Sequence, residues 1–430
     1  RASILLGDLH AAQGDDEAAL EAWKRVETQN PVYLALVAER IMDAYRRLGR
    51  LEQGMQLLRS YLDSYASLDL LDAVFQWELQ KEGAQAAYHL VREELRRNPT
   101  LLGLDKLLEA ALLTAPVEQR TDIELVAVND LTDTYTLAHL FKYDSVHGVF
   151  PGDVSHDEQH LVLGGRTIKA FAAKDPSTLP WKALGIDIVL ECTGFFLTRE
   201  LASAHLKAGA RQVVLSAPAK ETGIKSVVLG VNEDTLDGTE DIISNASCTT
   251  NCAAPMIKVV RDVCGIESGY ITTVHSYTGD QRLHDAPHKD LRRARAAAVS
   301  MVPTTTGAAK AITRIFPDLE GKLGGGGIRV PVPDGSITDI TVRVKNIPTA
   351  EALNAKFKEA AEGAMKGVLR YTEDPIVSVD IVGDPHSCIF DAQLTSVIGD
   401  MVKVMGWYDN EYGYSSRLVD LVAFLAAKRA

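Results

Sequence analysis

The chain has 430 residues, a length that predicts two or three domains of roughly 150 residues each. It is 46% hydrophobic and 24% charged, a composition that supports a sizeable core. A formal net charge of −13 argues against general binding to nucleic acid or to an anionic membrane. Five cysteines in this length do not indicate a disulfide scaffold and favour a reducing compartment. The sequence shows no signal peptide and no apolar run of about 18 residues, so we expect a cytoplasmic protein without a membrane span.

Residues 1–110 are predicted to be helical throughout. Small and aromatic residues recur on one helix face, as in Gly7 and Trp23, and Tyr45 and Gly54 follow about one repeat later. A period of about 34 residues with this pattern resembles tetratricopeptide (TPR) repeats. A third, weaker unit ends at residues 97–99. The segment is similar to the TPR part of lipopolysaccharide assembly protein B, which implies a peptide or protein partner.

From residue 121 onward, predicted strands alternate with predicted helices. Strands are expected at residues 123–129, 186–191 and 212–215. This alternation indicates a parallel α/β sheet. Longer β runs follow at residues 270–275 and 337–344, and they predict a second domain of mixed α+β type. The chain closes with an amphipathic helix predicted at residues 415–429.

The string S-N-A-S-C-T-T-N-C at residues 244–252 is the most informative feature of the sequence. It follows a β-type run and opens a helical pattern, so Cys248 faces free backbone N–H groups and the positive end of a helix dipole. Such a setting is expected to lower the pKa of the thiol and to create a nucleophile. Cys252 lies on the same helix face, but no third and fourth ligands accompany the two cysteines, so we expect no metal site.

Cys248 needs a base, and His275 is the best candidate. It ends a predicted strand, where side chains emerge into a site. A cysteine–histidine pair can hold the thiolate–imidazolium form, and the imidazolium can then donate a proton. An isolated cysteine and histidine are more often an inert buried thiol and a surface imidazole. The motifs around Cys248 and His275 favour the catalytic interpretation instead.

Hydroxyl-bearing residues and arginines near this pair are candidates for binding anions. Thr306 and Gly307 precede a predicted helix whose N–H groups can receive phosphate. Taken singly, each threonine is more simply a helix cap and each arginine a surface charge. Four glycines at residues 324–327 are expected to form a flexible turn, not a phosphate cradle, since a strand follows them. The full set of candidates is Ser247, Thr249, Thr278, Arg293, Thr306, Gly307 and Arg329.

A series of strings connects residues 111–430 to a known family. In order they are V-N-D-L-T-D, K-Y-D-S-V-H-G, E-C-T-G, S-A-P-A-K, the thiol motif, T-G-A-A-K-A, R-V-P and W-Y-D-N-E-Y-G-Y-S. With them, this part of the chain resembles phosphorylating glyceraldehyde-3-phosphate dehydrogenase. The implied fold class is α/β: a truncated Rossmann-type parallel sheet plus an α+β catalytic domain, preceded by the all-α TPR-like repeat. The implied domains are residues 1–110 (TPR-like), 111–247 (incomplete NAD-binding), 248–409 (catalytic) and 410–430 (a helix returning to the NAD-binding domain).

The resemblance implies the NAD-dependent oxidation and phosphorylation of glyceraldehyde 3-phosphate to 1,3-bisphosphoglycerate. Cys248 would attack the aldehyde to form a thiohemiacetal, and His275 would take the hydroxyl proton. Inorganic phosphate would then release the thioester. Thr278 and Arg329 would hold the phosphate of the substrate. The attacking phosphate would meet a second set of donors: Ser247, Thr249, Arg293, Thr306 and Gly307.

For the cofactor, Asp130 ends a predicted strand, where a carboxylate accepts hydrogen bonds from ribose hydroxyls and repels a 2′-phosphate. NAD is therefore favoured over NADP. Ser216 and Asn410 match family positions near the pyrophosphate-to-nicotinamide region, and Lys174 and Thr193 are further candidates. The family is a homotetramer, so the resemblance also implies a homo-oligomer.

One family feature is missing. The family opens with a strand and the turn G-x-G-x-x-G, and no such string occurs before Ile123. In the strand order 3-2-1-4-5-6 the lost strand is central, so two strand edges are left unpaired. Each buried unmade hydrogen bond costs about 1–3 kcal/mol, and several rival a domain stability of about 5–15 kcal/mol. We expect a weakened cofactor domain beside a sound catalytic domain. The alternative is a TPR interaction module fused to an inactive dehydrogenase remnant.

Overall fold

The computed structural model describes residues 2–29, 31–65, 68–81 and 123–429. The chain folds as two units, Arg1–Thr121 and Asp122–Ala430. The predicted domain boundary at residues 110–111 and the end of the third repeat at residues 97–99 lie outside the described residues. Among the described helices, none combines the length and the apolar character that a membrane-spanning segment needs.

The first unit is built from helices in its described residues. They are α1 (Ala2–Ala12), α2 (Asp16–Gln29), α3 (Ala35–Arg47), α4 (Leu51–Tyr65) and α5 (Leu68–Lys81). Helix α1 packs on α2, and α3 packs on α2, α4 and α5. A Cβ added at Gly7 would lie 2.2 Å from Nε1 of Trp23, and one at Gly54 would lie 3.0 Å from Cβ of Tyr45. The small and aromatic residues singled out in the sequence therefore mark close contacts between helices.

The second unit begins with two four-stranded sheets, ordered β1-β6-β5-β4 and β7-β8-β10-β9. The strands are β1 (Ala127–Asn129), β4 (Val154–His156), β5 (His160–Leu163), β6 (Arg166–Phe171), β7 (Ile188–Glu191), β8 (Gln212–Leu215), β9 (Lys225–Ser226) and β10 (Ile242–Ser244). A separate hairpin joins β2 (Tyr143–Asp144) to β3 (Gly148–Val149). The helices of this region are α6 (Thr134–Lys142), α7 (Trp181–Leu184) and α8 (Arg199–Lys207).

Strands β1 and β7 each end a sheet. β1 pairs in parallel with β6, and β7 pairs in parallel with β8. Within the described residues neither strand has a second neighbour, which agrees with the two unpaired edges expected from the sequence. Leu125 and Leu190, beside these edges, are 57% and 38% exposed. The strand predicted at residues 123–129 is shorter than expected, because only Ala127–Asn129 are in register with β6.

The region predicted to be catalytic is built on an eight-stranded mixed sheet ordered β12-β13-β11-β14-β18-β16-β15, with β17 paired to β18. Its strands are β11 (Ile266–Ser276), β12 (Val302–Thr304), β13 (Leu323–Val330), β14 (Ser336–Val344), β15 (Leu369–Thr372), β16 (Cys388–Asp391), β17 (Ser396–Ile398) and β18 (Met401–Tyr408). Three helices pack on it: α9 (Cys248–Cys264), α10 (Ala308–Ile315) and α11 (Ala350–Glu362). Met256 of α9, Phe357 of α11 and Phe390 of β16 are buried in one continuous core.

The prediction of a turn at residues 324–327 is wrong. The four glycines lie inside β13, in parallel register with β11. A Cβ at Gly325 would lie 2.9 Å from Cβ of Ala309, and one at Gly324 would lie 2.7 Å from the ring of Tyr270. The missing side chains let α10 and an aromatic ring approach the strand, so the glycines reflect close packing and not a flexible loop.

The last helix, α12 (Tyr412–Arg429), packs against the β7–β10 sheet. Leu418, Leu421 and Leu425 share a buried cluster with Val214 of β8 and Ile243 of β10. The end of the chain therefore returns to the sheet that precedes the catalytic region. The helix begins three residues before the predicted start at residue 415.

Candidate active site

The turn from β10 into α9 presents Cys248 at a helix N-terminus. Cys248 is the first residue of α9, and the hydroxyl of Ser247 accepts a hydrogen bond from the N–H of Thr250 at 3.2 Å. Ala246 has a φ of 55°, the one positive φ among the non-glycine residues described. Such a conformation costs of order 1–3 kcal/mol and persists where the surroundings over-determine it. Here the hydroxyl of Tyr414 donates to the carbonyl of Ala246 at 3.0 Å.

The structure brings Cys248 and His275 together. The Sγ of Cys248 lies 3.5 Å from Nε2 of His275. The Nδ1 of the same ring faces the carbonyl of Ser276 at 2.8 Å and contacts the guanidinium of Arg329. Arg329 is next to His275 because the two residues are register partners on the parallel strands β13 and β11. The two strands thus determine which ring nitrogen faces the thiol.

The pKa values of Cys248 and His275 are both shifted in the direction that favours the neutral form. Burial raises the pKa of the Cys248 thiol to about 11, while the N–H of Thr249 and the charge of Arg329 act in the opposite direction. Burial and the charge of Arg329 lower the pKa of His275 to about 3. The lowered thiol pKa expected from the sequence is therefore wrong for this structure, because burial outweighs the helix N-terminus. Moving the proton from sulfur to imidazole would leave the net charge of the pair unchanged.

Tyr408 supports this pair, and the sequence analysis missed it. Its hydroxyl is 2.9 Å from Oγ1 of Thr249 and 2.7 Å from Oγ1 of Thr273. Its ring meets the His275 ring edge-on at 5.9 Å between centroids. One buried phenol therefore connects the start of α9 to strand β11. Its signal in the sequence was its place inside the string W-Y-D-N-E-Y-G-Y-S.

The anion-binding candidates at α9 already have partners within the protein. Ser247 caps the helix, and its hydroxyl lies 2.8 Å from Oγ1 of Thr250. The hydroxyl of Thr249 is bonded to Tyr408. Arg329, beside His275, donates to the carbonyl of Ser276 at 3.0 Å. Arg329, on the neighbouring strand β13, is the candidate that the structure brings directly against the Cys248–His275 pair.

Most of the remaining anion-binding candidates lie on the segments around β12 and α10. Arg293 forms an ion pair with Asp280, and its Nε donates to Oγ1 of Thr304 at 2.9 Å. The hydroxyl of Thr306 accepts from the N–H of Ala308 at 3.2 Å. Gly307 is the N-cap of α10, and the last candidate, the half-buried Thr278, lies elsewhere, two residues after the end of β11.

Two cofactor candidates follow the strands of the β1–β4 sheet. Asp130 is exposed directly after β1, and its Oδ1 accepts from the N–H of Thr132 at 2.8 Å. Lys174 is exposed after β6. The two strand ends are tied together by Asn129, whose side chain donates to the carbonyl of Ala173 at 3.0 Å and accepts from its N–H at 2.9 Å. The sequence analysis had not identified Asn129 as a residue that positions this edge.

A buried chain of polar side chains lies behind Thr193. The N–H of Thr193 donates to Oε1 of Glu191 at 2.8 Å. Oε2 of Glu191 lies 2.9 Å from Nε2 of His205, and Nε1 of Trp181 donates to Nδ1 of His205 at 3.1 Å. Burial acts to raise the pKa of Glu191, but the hydrogen bonds from His205 and Thr193 outweigh it and hold the pKa below its usual value. The N–H of Ser216 donates to the Glu191 carbonyl at 3.0 Å, so two cofactor candidates depend on one residue.

Asn410 is buried at the junction between β18 and α12. Its Oδ1 accepts from the hydroxyl of Ser276 at 2.8 Å and from that of Ser336 at 2.6 Å. Ser276 follows His275 directly on β11, and its N–H donates to the hydroxyl of Ser336 at 3.1 Å. The amide of Asn410 is therefore fixed relative to the imidazole of His275.

Comparison with known proteins gives consistent matches. The C-terminal domain family of glyceraldehyde 3-phosphate dehydrogenase matches residues 247–410, and its NAD-binding domain family matches residues 107–199. The glyceraldehyde-3-phosphate dehydrogenase of Mycobacterium avium is 56% identical over 317 residues, which is 73% of this chain and 93% of the relative. That of Mycolicibacterium smegmatis is 55% identical over 318 residues, with the same shares. Glyceraldehyde-3-phosphate dehydrogenase 2 of Streptomyces avermitilis is 55% identical over 313 residues, 72% of this chain and 93% of the relative.

Proposed function

We propose that this chain, which belongs to the glyceraldehyde-3-phosphate dehydrogenase family, oxidises and phosphorylates glyceraldehyde 3-phosphate to 1,3-bisphosphoglycerate with NAD. The 3.5 Å contact between Cys248 and His275 at the start of α9 carries the proposal. Identity of 56% across 93% of a dehydrogenase relative favours an enzyme over an inactive remnant fused to an interaction module.

The pair can perform the chemistry in three steps. The sulfur of Cys248 attacks the aldehyde carbon, and the thiol proton reaches the carbonyl oxygen through Nε2 of His275, which gives a thiohemiacetal. His275 then takes the hydroxyl proton while the carbon loses hydride and a thioester forms. Bound NAD supplies the hydride acceptor. Inorganic phosphate attacks the thioester carbon, the acyl phosphate leaves, and the imidazole returns its proton to the sulfur.

Two separate sets of donors suit the two phosphate groups. Arg329 and Thr278 would hold the phosphate of the substrate, because Arg329 already lies against the catalytic imidazole. Arg293 would hold the attacking phosphate, with an anion replacing the carboxylate of Asp280 that now pairs with it. A planar guanidinium suits this exchange because it binds carboxylate and phosphate in the same forked geometry. The rest of the second set is Ser247, Thr249, Thr306 and Gly307.

The cofactor would be held at its two ends. Asp130 has an exposed carboxylate after a parallel strand, which suits a ribose, and Asn410 has a fixed amide near His275, which suits the nicotinamide end. Lys174, Thr193 and Ser216 would contribute between them.

We further propose that the two four-stranded sheets are parts of one truncated Rossmann sheet. The edges of β1 and β7 that have no strand neighbour among the described residues support this, as does the lack of a G-x-G-x-x-G string before Ile123. The pyrophosphate then lacks its main backbone donors, so NAD should bind weakly.

The proposal also covers the role of the first unit, the cellular compartment and the assembly. We propose that helices α1–α5 form TPR repeats that bind a peptide, and the contacts of Gly7 with Trp23 and of Gly54 with Tyr45 support this. The five cysteines are free thiols, which favours a reducing cytoplasm. A homotetramer is the assembly that the family resemblance implies.

Formation of NADH by the purified full chain tests the proposal. We expect turnover that requires the aldehyde, phosphate and NAD, with a half-saturating NAD concentration well above that of the Mycobacterium avium enzyme assayed alongside. Cys248→Ser should abolish turnover, whereas Cys264→Ala, at the other end of α9, should retain it. Absence of both NAD binding and turnover at the highest attainable NAD concentration would favour the inactive remnant.

A further inference from the structure

A cluster of ionisable side chains lies where three segments of the second unit meet. His147 comes from the turn between β2 and β3, Asp334 from the turn between β13 and β14, and Asp409 from the junction of β18 with α12. One ligand atom from each of the three lies within 4.8 Å of the other two. Nε2 of His147 is 3.9 Å from Oδ2 of Asp334 and 3.7 Å from Oε2 of Glu411. The proposed dehydrogenase chemistry uses none of these side chains.

The negative charge of the cluster is not balanced within the described residues. Asp334 and Asp409 are 2% and 1% exposed. Their one cationic neighbour among the ion pairs of the described chain is His147, which is charged only when protonated. Two buried carboxylates side by side need a shared proton or a bound cation.

One oxygen of the cluster is left without a partner. Oδ1 of Asp334 accepts from the N–H of Gly335 at 2.7 Å, but its buried Oδ2 has no hydrogen-bond partner among the described residues and lies 3.9 Å from Nε2 of His147. Asp409 differs, because its oxygens accept from three backbone N–H groups, those of Gly383, Glu411 and Tyr412. Asp409 is therefore held rigidly by the backbone, while Asp334 presents a free oxygen to the centre of the cluster.

We propose that His147, Asp334 and Asp409 bind a divalent transition-metal ion of the Zn²⁺ or Mn²⁺ class, with Glu411 as a fourth ligand. One imidazole nitrogen with carboxylate oxygens is a ligand set for these ions and not for Ca²⁺ or Mg²⁺, which prefer oxygen alone. Ligand atoms around an ion with bonds of about 2.0–2.2 Å lie roughly 3–3.5 Å apart. Nε2 of His147 lies 3.7 Å from Glu411 and 3.9 Å from Asp334, close to this spacing, whereas the ligand atom of Asp409 is within 4.8 Å of the other two and has further to move.

The ion would join parts of the protein that the sequence keeps far apart. It would connect the β2–β3 hairpin to the catalytic sheet and to the start of α12. Asn410 lies between two of the ligands, Asp409 and Glu411, and bonds Ser336, two residues after Asp334. Binding would therefore restrain the amide proposed to face the nicotinamide. The sequence could not have indicated this site by ligand spacing, because recognised metal-binding motifs place their ligands close together in the chain. His147, Asp334 and Asp409 come from three distant segments.

Calorimetric titration of Zn²⁺ into the full chain tests the site. The experiment uses the Cys248→Ser background, because the Cys248–His275 pair is itself a possible zinc ligand. Its readout is binding, so its outcome is independent of whether the chain is an active dehydrogenase. We expect one ion per chain, with the affinity reduced about tenfold or more by His147→Gln and by Asp334→Asn. Mg²⁺ should not compete.

His160→Gln is the matched control, because His160 forms a comparable pair with Asp157 at 2.9 Å elsewhere in the same unit. It should leave the zinc affinity unchanged. Circular dichroism melts of each variant check folding, and His147→Gln carries the test if Asp334→Asn does not fold, since the His147 side chain is 27% exposed. Zinc binding that is absent, or equal in the parent and in His147→Gln, would overturn the proposal.

Discussion

The guanidinium of Arg329 contacts Nδ1 of His275 because the two residues are paired across the parallel strands β13 and β11. The contact leaves Nε2 as the ring nitrogen that faces Cys248 at 3.5 Å. It also places a permanent positive charge beside a base, which disfavours the protonated imidazole. Arg329 therefore acts on the protonation of the base as well as on any substrate anion.

Arg329→Gln should raise the pKa of His275 from about 3 toward its ordinary value of 6.5. The sign follows from charge: removing a neighbouring cation stabilises the imidazolium. The measurement is an NMR titration of histidine side chains, with the signal assigned by its loss in His275→Asn. Arg293→Gln is the control, since Arg293 pairs with Asp280. An unchanged or lower pKa in Arg329→Gln would show that burial alone controls the base.

His275→Asn should reduce kcat by about 10²–10⁴-fold, the usual contribution of a positioned acid–base group. The thiol of Cys248 stays in place, so the variant should still form a covalent adduct with the aldehyde. Steady-state assay of NADH formation measures the loss. His156→Asn, on the exposed strand β4, should retain full activity. A His275→Asn variant within a factor of about two of the parent would remove His275 from the mechanism.

Glu191→Gln should destabilise the second unit by about 1–3 kcal/mol at pH 7, because it breaks a buried hydrogen-bonded chain. The pKa of Glu191 in the folded protein lies below 4.5. The contribution of a depressed acid is complete above its unfolded pKa and is lost as the pH falls through the folded value. The stability difference between the parent and Glu191→Gln should therefore shrink below about pH 4.5. Thermal melts at several pH values, with exposed Glu200→Gln as the control, measure this.

Gly325→Ala should destabilise the catalytic region by about 1–3 kcal/mol, a typical cost of overpacking. The added Cβ would lie 2.9 Å from Cβ of Ala309, whereas at Gly327 the nearest atom would be 3.4 Å away. Gly327→Ala on the same strand is therefore the matched control. Thermal unfolding followed by circular dichroism compares the two. Equal melting temperatures would contradict the account of the glycine run as close packing.

Local patterns predicted the elements that depend on local chemistry. The thiol motif, the strand ending at His275 and the helix after Gly307 all follow from residues near one another in the sequence. The prediction of a flexible turn at the glycine run, residues 324–327, was wrong because the role of the glycines depends on Ala309 and Tyr270. These two residues reach the strand only through tertiary packing. The role of the Tyr408 phenol was not predicted for the same reason.

The prediction of a lowered pKa for Cys248 was the clearest error about the site. A helix N-terminus is visible in a sequence as a capping pattern, but the degree of burial is not. The effect of the helix end and of Arg329 is smaller than the effect of desolvation, so the predicted direction reversed. The buried chain from Trp181 through His205 to Glu191 was missed because its members come from three different elements.

Among the described residues, β1 and β7 each have one edge without a strand neighbour, and this affects how the purified protein should behave at high concentration. Unpaired parallel strands are templates for pairing with another chain. Contacts of this kind do not close after a fixed number of subunits, in contrast to a symmetric oligomer. Light scattering on concentrated samples should therefore reveal self-association whose extent increases with concentration, superimposed on any discrete assembly.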